Sequence, residues 1–269
     1  MKYFTSVLLL VSHLCMGQAV YEARVVDATT NEPLPFVNVG IVGQNIGTVT
    51  DDAGRFRITL EYQYANDSVK VSMIGYDSKS WTVDCLLDHI NDSTIKLNKA
   101  NNQIKQVEIN SDKLRPKVVG STTTSPFFTG GFTSNDLGNE ICVKINVGKQ
   151  PFYLQEFAFN IASNNCDSLL FRINVYSLKN DLPDRSLLSE NLIIATKITS
   201  GQITVDLKPY ELLIDEDFAI GLEYIKPCNE RSLWFSAAFL GSIYSRTTSQ
   251  GNWEKLKGFD LGFNVKVLY

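Results

Sequence analysis

Histidine is nearly missing from this chain. Its 269 residues hold two, His13 and His89. A zinc site built on imidazoles and a Ser-His-Asp triad both need more than this. A cysteine nucleophile would have only His89 as its base, and His89 stands alone in Leu87-Asp88-His89-Ile90, a loop-like setting. No Walker-type or Rossmann glycine pattern occurs. Beyond the first residues, no apolar run approaches the ~20 residues that a helix needs to cross a bilayer. An excess of positive charge is missing too. Lys plus Arg number 25 against 29 Asp plus Glu, a net charge of −4, with a pI of about 5.3. That balance argues against a nucleic-acid partner. Nothing in the sequence calls for a metal or a cofactor.

Carboxylates are plentiful, and paired carboxylates can cleave glycosidic bonds. Asp206, Glu211, Asp215, Glu216, Asp217 and Glu223 are the candidates, and four of them crowd residues 211–217. Crowding of that kind is also the mark of a solvated turn. Asp51 and Asp52 precede Gly54 without the further acidic ligands of a calcium loop, so they read as an Asx-type turn.

What is present is strand after strand. The first residues come before that pattern. Met1-Lys2 is followed by an apolar run with Val7-Leu8-Leu9-Leu10-Val11 at its centre, then Cys15-Met16-Gly17. This is the layout of a secretory signal peptide over residues 1–17, with cleavage expected after Gly17. The alternative is lipidation at Cys15, for which Ser12, His13 and Leu14 make a poor lipobox. Export allows disulfides. Cys166 and Cys228 lie in loop-like segments and are the expected pair, the alternative being no bridge at all. Cys142 lies in a strand pattern and reads as a small buried hydrophobe.

Residues 31–60 are the most distinctive stretch. Pro33 and Pro35 favour extended backbone. Val37, Val39 and Ile41 then alternate, as do Phe56, Ile58 and Leu60, with glycine- and aspartate-rich turns between the two runs. Tyr21, Ala23 and Val25 alternate before them, and Val69, Val71 and Met73 after. Ser80-Trp81-Thr82-Val83 and Ser93-Thr94-Ile95-Lys96-Leu97 complete about seven short strands, the signature of a small β-sandwich.

The pattern Arg24-x-Val26-Asp27, Thr30, Pro33-Leu34-x-Phe36-Val37-Asn38-Val39, Gly47-Thr48-x-Thr50-Asp51-x-x-Gly54-x-Phe56 and Val71-Ser72-x-Ile74-Gly75-Tyr76 resembles the carboxypeptidase regulatory-like domain. The resemblance covers about residues 20–97. It implies an exported, transthyretin-like β-sandwich of a type common in Bacteroidetes. It implies an accessory module rather than a catalytic domain.

Residues 98–125 are polar and read as a linker with one short strand, Ile104-Lys105-Gln106-Val107-Glu108-Ile109. Residues 126–269 return to alternation. Ile141, Val143 and Ile145 form one such set, Phe157, Phe159 and Ile161 another, and Leu169, Phe171, Ile173 and Val175 a third. About eight or nine strands suggest a second β-sandwich or jelly roll. The layout Phe171-Arg172-x-x-Val175-Tyr176, Val205-Asp206-Leu207-x-x-Tyr210 and Phe218-x-Ile220-Gly221-Leu222-Glu223 is similar, diffusely, to accessory sandwich domains of secreted Bacteroidetes proteins. The fold class is therefore all-β.

The candidate binding residues are Trp234, Tyr244, Arg246 and Trp253, within residues 233–254. Exposed aromatics can stack on sugar rings or anchor a peptide. Core packing is the competing account, favoured by the apolar run around Trp234. The expected function is that of a non-enzymatic accessory or binding protein, in the periplasm or at the outer membrane or cell surface. Its partner would be an envelope protein or a glycan. A carboxylate-based hydrolase and a small outer-membrane β-barrel in the C-terminal half are the alternatives.

Overall fold

β1 (Gln18–Asp27) turns Tyr21, Ala23 and Val25 inward and leaves the residues between them toward solvent. This is the period of two that a strand with one buried face must show. A computed structural model supplies the coordinates and describes residues 18–88, 94–100, 114–132, 134–148, 150–226, 228 and 233–269. The expected signal peptide, His89 and the strand expected at 104–109 lie outside the described residues.

β2 (Asn38–Ile41), β3 (Gly47–Val49) and β4 (Arg55–Glu61) follow β1, and β5 (Ser68–Ser72), β6 (Lys79–Thr82) and β7 (Thr94–Leu97) complete the amino-terminal part. They form two sheets, ordered β4-β1-β7 and β3-β2-β5-β6. The sheets enclose Val25, Val37, Val39, Ile41, Ile58, Leu60 and Leu97. Each such side chain stabilises the fold by about 1.5–3 kcal/mol relative to exposure. The buried Thr50 hydroxyl donates to the Leu34 carbonyl and accepts from the Val37 N–H, both at 2.8 Å. That ties the proline-rich entry to the β3–β4 turn. Val83 does not extend β6 as its sequence pattern suggests. It opens a short helix, α1 (Val83–Asp88), because the Thr82 hydroxyl caps the Cys85 N–H and the helix buries Val83, Leu86 and Leu87.

The remainder is one larger strand assembly. Part of the stretch read as linker is a strand, β8 (Pro116–Gly120), which pairs with β20 (Phe263–Leu268). Between them run β9 (Thr129–Gly130), β10 (Glu140–Ile145), β11 (Phe152–Asn164), β12 (Leu169–Lys179), β13 (Leu182–Ser186), β14 (Leu192–Thr196), β15 (Gly201–Asp206), β16 (Leu213–Ile214), β17 (Phe218–Tyr224), β18 (Leu233–Arg246) and β19 (Glu254–Leu261). The main path is β13-β12-β17-β10-β18-β11-β20-β8. β18 joins two layers. Its first residues pair with β11 and its last with β10. The layers close on Phe157, Phe159, Phe171, Phe235 and Phe263, whose rings meet mostly edge to face. The two ends of the path, β13 and β8, do not pair among the described residues, so no closed barrel forms. A disulfide joins Cys166, in the loop after β11, to Cys228, after β17. Their Cα atoms are 5.9 Å apart, ordinary disulfide spacing.

The two parts are locked together by the loop after β18. The Ser249 hydroxyl donates to Asn38 at 3.2 Å, the Gly43 N–H to the Gln250 carbonyl at 2.9 Å, and the Asn252 amide to the Gly43 carbonyl at 2.7 Å. The Gln250 amide reaches the Ser72 hydroxyl at 2.9 Å. A Cβ on Gly40 or on Gly47 would stand 2.3 Å from the Ser249 carbonyl oxygen. Glycine at both positions lets this loop seat directly on the β2–β3 backbone.

Candidate functional site

β12, β17, β10 and β18 lie side by side, and their registers align four charged residues in one row. Arg172 faces Glu223, Glu223 faces Glu140, and Glu140 faces Arg246. All four point away from the sandwich core, since their strand neighbours Phe171, Ile173, Leu222, Ile141 and Ile243 fill it. An outward row of this kind would ordinarily meet water. Here Glu140 and Glu223 are 0% exposed and Arg172 is 1% exposed.

Charge pairing makes that burial tolerable. Arg246 Nη2 lies 2.6 Å from Glu140 Oε2, and Arg172 Nη1 lies 3.4 Å from Glu223 Oε2. The two carboxylates are neighbours and would repel. The Asn174 amide sits between them, donating to Glu140 Oε1 at 2.8 Å and Glu223 Oε2 at 2.9 Å. Tyr176 donates its hydroxyl proton to Glu140 at 3.2 Å. Trp253 closes the Arg246 end, its ring centroid 4.8 Å from the guanidinium and its edge against Tyr176. The amino-terminal module closes the other end. Arg172 Nη2 donates to the carbonyl of Phe36, a residue held at the left-handed φ of 61°.

Burial raises the Glu140 carboxyl above its ordinary range, with Arg246 pulling the other way. Burial and the nearby Glu140 also raise the Tyr176 hydroxyl and the Cys142 thiol well above their usual values. A thiol held protonated is a weak nucleophile. Burial lowers the Arg246 pKa, but Glu140, Tyr176, Glu223 and Cys142 together more than offset this, so the guanidinium stays charged. The row is sealed from substrate. Its chemistry is cohesion: it binds four strands to one another and to the first module.

The sequence candidates therefore divide. Tyr244, Arg246 and Trp253 come together, but Tyr244 is fully buried and its hydroxyl donates to Asp181 at 3.3 Å. Trp234 lies at the far end of β18 and is 43% exposed, so core packing does not describe it. Among the carboxylate candidates, Glu223 belongs to the row. Asp206 is exposed and accepts the Lys208 N–H at 3.1 Å. Glu211, Asp215 and Glu216 are exposed, and Asp217 accepts the N–H groups of Val147 and Gly148. Asp51 accepts those of Ala53 and Arg55, as an Asx turn should.

Sequence reasoning did not single out an apolar rim. Phe127 is 97% exposed and Leu240 95%. Between them Phe128 stacks on Phe239 at 4.4 Å, and Phe259 touches both rings. The rim is held firmly. Ser125 accepts the Phe127 and Phe128 N–H groups on its hydroxyl and the Ser236 hydroxyl on its carbonyl. Leu240 sits at φ 75° in a bulge where the β18–β19 register shifts. That conformation is costly for leucine and serves no packing, so it marks a displayed residue. The doublet Phe127–Phe128 was the available clue in the sequence.

This is an all-β protein whose first module is a small sandwich docked on a larger one. Residues 22–109 match the family model of the CarboxypepD_reg-like domain, so the amino-terminal third of the chain is a domain of that family. The match runs past residue 97 and takes in the strand expected at 104–109, which the sequence reading set in the linker. No curated protein matches the chain. Among solved structures, the chain is similar to one titled crystal structure of infectious bursal disease virus VP2 subviral particle. That pair has 10% identity and a TM-score of 0.24, covering 93% of this chain and 63% of the other. The chain thus spans less than two thirds of that protein, and a likeness so slight carries no argument.

Proposed function

We propose that this chain is a non-enzymatic, exported accessory protein of the cell envelope, in which the second sandwich binds a partner protein or a glycan. The observation that carries the reading is the rim of exposed Phe127, Phe239 and Leu240, with the half-buried Phe128 stacked on Phe239 and packed against the core. Large apolar side chains are displayed there on a fastened backbone, and contiguous exposed apolar surface marks interaction sites. The CarboxypepD_reg-like domain supports an accessory role, and the leader-like first residues and the Cys166–Cys228 bridge support export.

The test is binding by the wild type and by a Phe127→Ser, Leu240→Asp variant. Both would be offered a panel of envelope glycans, including peptidoglycan fragments, and an immobilised envelope-protein fraction. The variant is expected to lose at least about tenfold in affinity, as burial of two large side chains implies. Equal binding by both proteins sinks the rim as the site. Recovery of the protein from cells with Met1 still attached sinks export.

A further inference from the structure

The two sheets of the amino-terminal module end, on one side, in strands that do not meet. Among the described residues β6 pairs only with β5, and β7 only with β1. Between these two edges lies a cavity of about 380 Å³, lined by Lys79 and Trp81 of β6, Leu86 of α1, Ile95 and Lys96 of β7, and Tyr21 of β1. We infer that this cavity is a binding site for a small ring-bearing carboxylate, its acid group held by the Lys79 ammonium and its ring set against Trp81.

Lysine is out of place at position 79. Lys79 lies opposite Val71 and Trp81 opposite Val69. Opposed residues share a face of the sheet, and both valines lie in the core at 1% exposure. Lys79 therefore stands half-buried on the core side of its strand, where an apolar residue would continue the row. Its ammonium takes part in none of the described ion pairs or side-chain hydrogen bonds. The Lys96 ammonium donates to the Asn31 amide oxygen at 2.9 Å, a neutral partner that leaves its charge unbalanced. No carboxylate lines the cavity among the described residues. A chain of net charge −4 thus has a pocket whose charged lining is wholly positive. Partial burial of a cation without a counter-charge is costly, and an entering carboxylate removes that cost.

The walls select the rest of the ligand. Trp81 packs on the module's core, and the buried Leu86 and Ile95 belong to that core. An aromatic wall suits the flat face of a ring. Ligand sites span about 300–1,000 Å³, so this one has room for a single ring with a short acid arm. An inward-facing lysine on an edge strand also discourages the pairing of further strands. That role calls for neither the cavity nor the unbalanced charge. Two sources share the inferred chemistry, a uronic acid from a polysaccharide and an aromatic acid.

The site belongs to the first module and stands apart from the Phe127–Leu240 rim, so the two readings fail separately. The experiment is calorimetric titration of the full chain with glucuronate and with phenylacetate, each beside its neutral amide. At least one acid is expected to bind with a Kd of about 1 mM or tighter, as a ligand of some ten heavy atoms can. Its amide should bind about tenfold more weakly, the loss of one charge-assisted hydrogen bond. The tighter acid names the source. Lys79→Met should weaken that acid about tenfold and leave its amide as it was, whereas Lys79→Arg should keep the acid's advantage. Binding by neither acid, or equal binding of acid and amide, overturns the inference. So does an acid preference that survives Lys79→Met. A lysine with a merely structural role would, on replacement, weaken acid and amide alike, and that result overturns it too.

Discussion

At its C-terminal end β18 encloses Tyr244 and holds Arg246 against Glu140, while a few residues earlier Leu240 stands 95% exposed beside Phe239. Residue type would assign these the other way round. The difference lies in what covers each part of the strand. Trp253, the loop after β18 and the CarboxypepD_reg-like module close over the charged end. Nothing among the described residues closes over the rim. Burial in this protein is decided by docking, and the charged row is designed for a docked module. The uncovered apolar part of the same strand is the surface proposed to bind a partner.

The largest expected effect tests the buried end. Arg246→Met would leave Glu140 sealed away from water with its principal cation gone. Breaking one partner of a buried pair costs about 3–5 kcal/mol. Urea unfolding measures it, and a loss below about 1 kcal/mol would show that water reaches the row. Adding Glu140→Leu to Arg246→Met should recover most of the loss, because two neutral side chains of similar shape leave no orphaned charge.

The next effect tests the docking. Gly47→Ala places a methyl 2.3 Å from the Ser249 carbonyl, and so does Gly40→Ala. Each should cost about 1–3 kcal/mol as the loop is pushed off the β2–β3 hairpin. The double variant should cost little more than either single one, since both act through one contact. Fully additive losses would mean that the two glycines matter only within their own hairpin.

Much of the fold was legible because core faces announce themselves. Val37, Val39 and Ile41, or Phe171, Ile173 and Val175, need only a period of two, and each set is buried as its alternation requires. Cys166 and Cys228 were legible as loop cysteines, and the bridge joins them. The opposite faces were not legible. Arg172 and Glu223 occupy the polar positions of that same alternation, where solvent is the ordinary expectation. Only the amino-terminal module, resting its Phe36 carbonyl on Arg172, makes them interior. Trp234 misled through its apolar neighbours, since it alternates with the fully buried Phe235 and must point out. The rim escaped notice because the β18–β19 bulge interrupts the alternation on which the reading depended.

The smallest effect sharpens the exposed end, and its sign is what matters. Leu240→Gly removes a side chain that packs on nothing and sits at φ 75°, where glycine is at ease and leucine is not. A residue kept for folding would lose stability when truncated, by several kcal/mol if it were a core leucine. Leu240→Gly should instead leave stability unchanged or raise it by up to about 1 kcal/mol, the strain relieved offsetting the freedom glycine adds to the unfolded chain. Thermal and urea unfolding both read this. A clear destabilisation would mean that Leu240 packs in solution, and the rim would then be a piece of core rather than a surface. An unchanged or raised stability, together with lost partner binding in the Phe127→Ser, Leu240→Asp variant, would separate the two parts of β18 cleanly: one side buried to hold the modules together, the other exposed to meet something else.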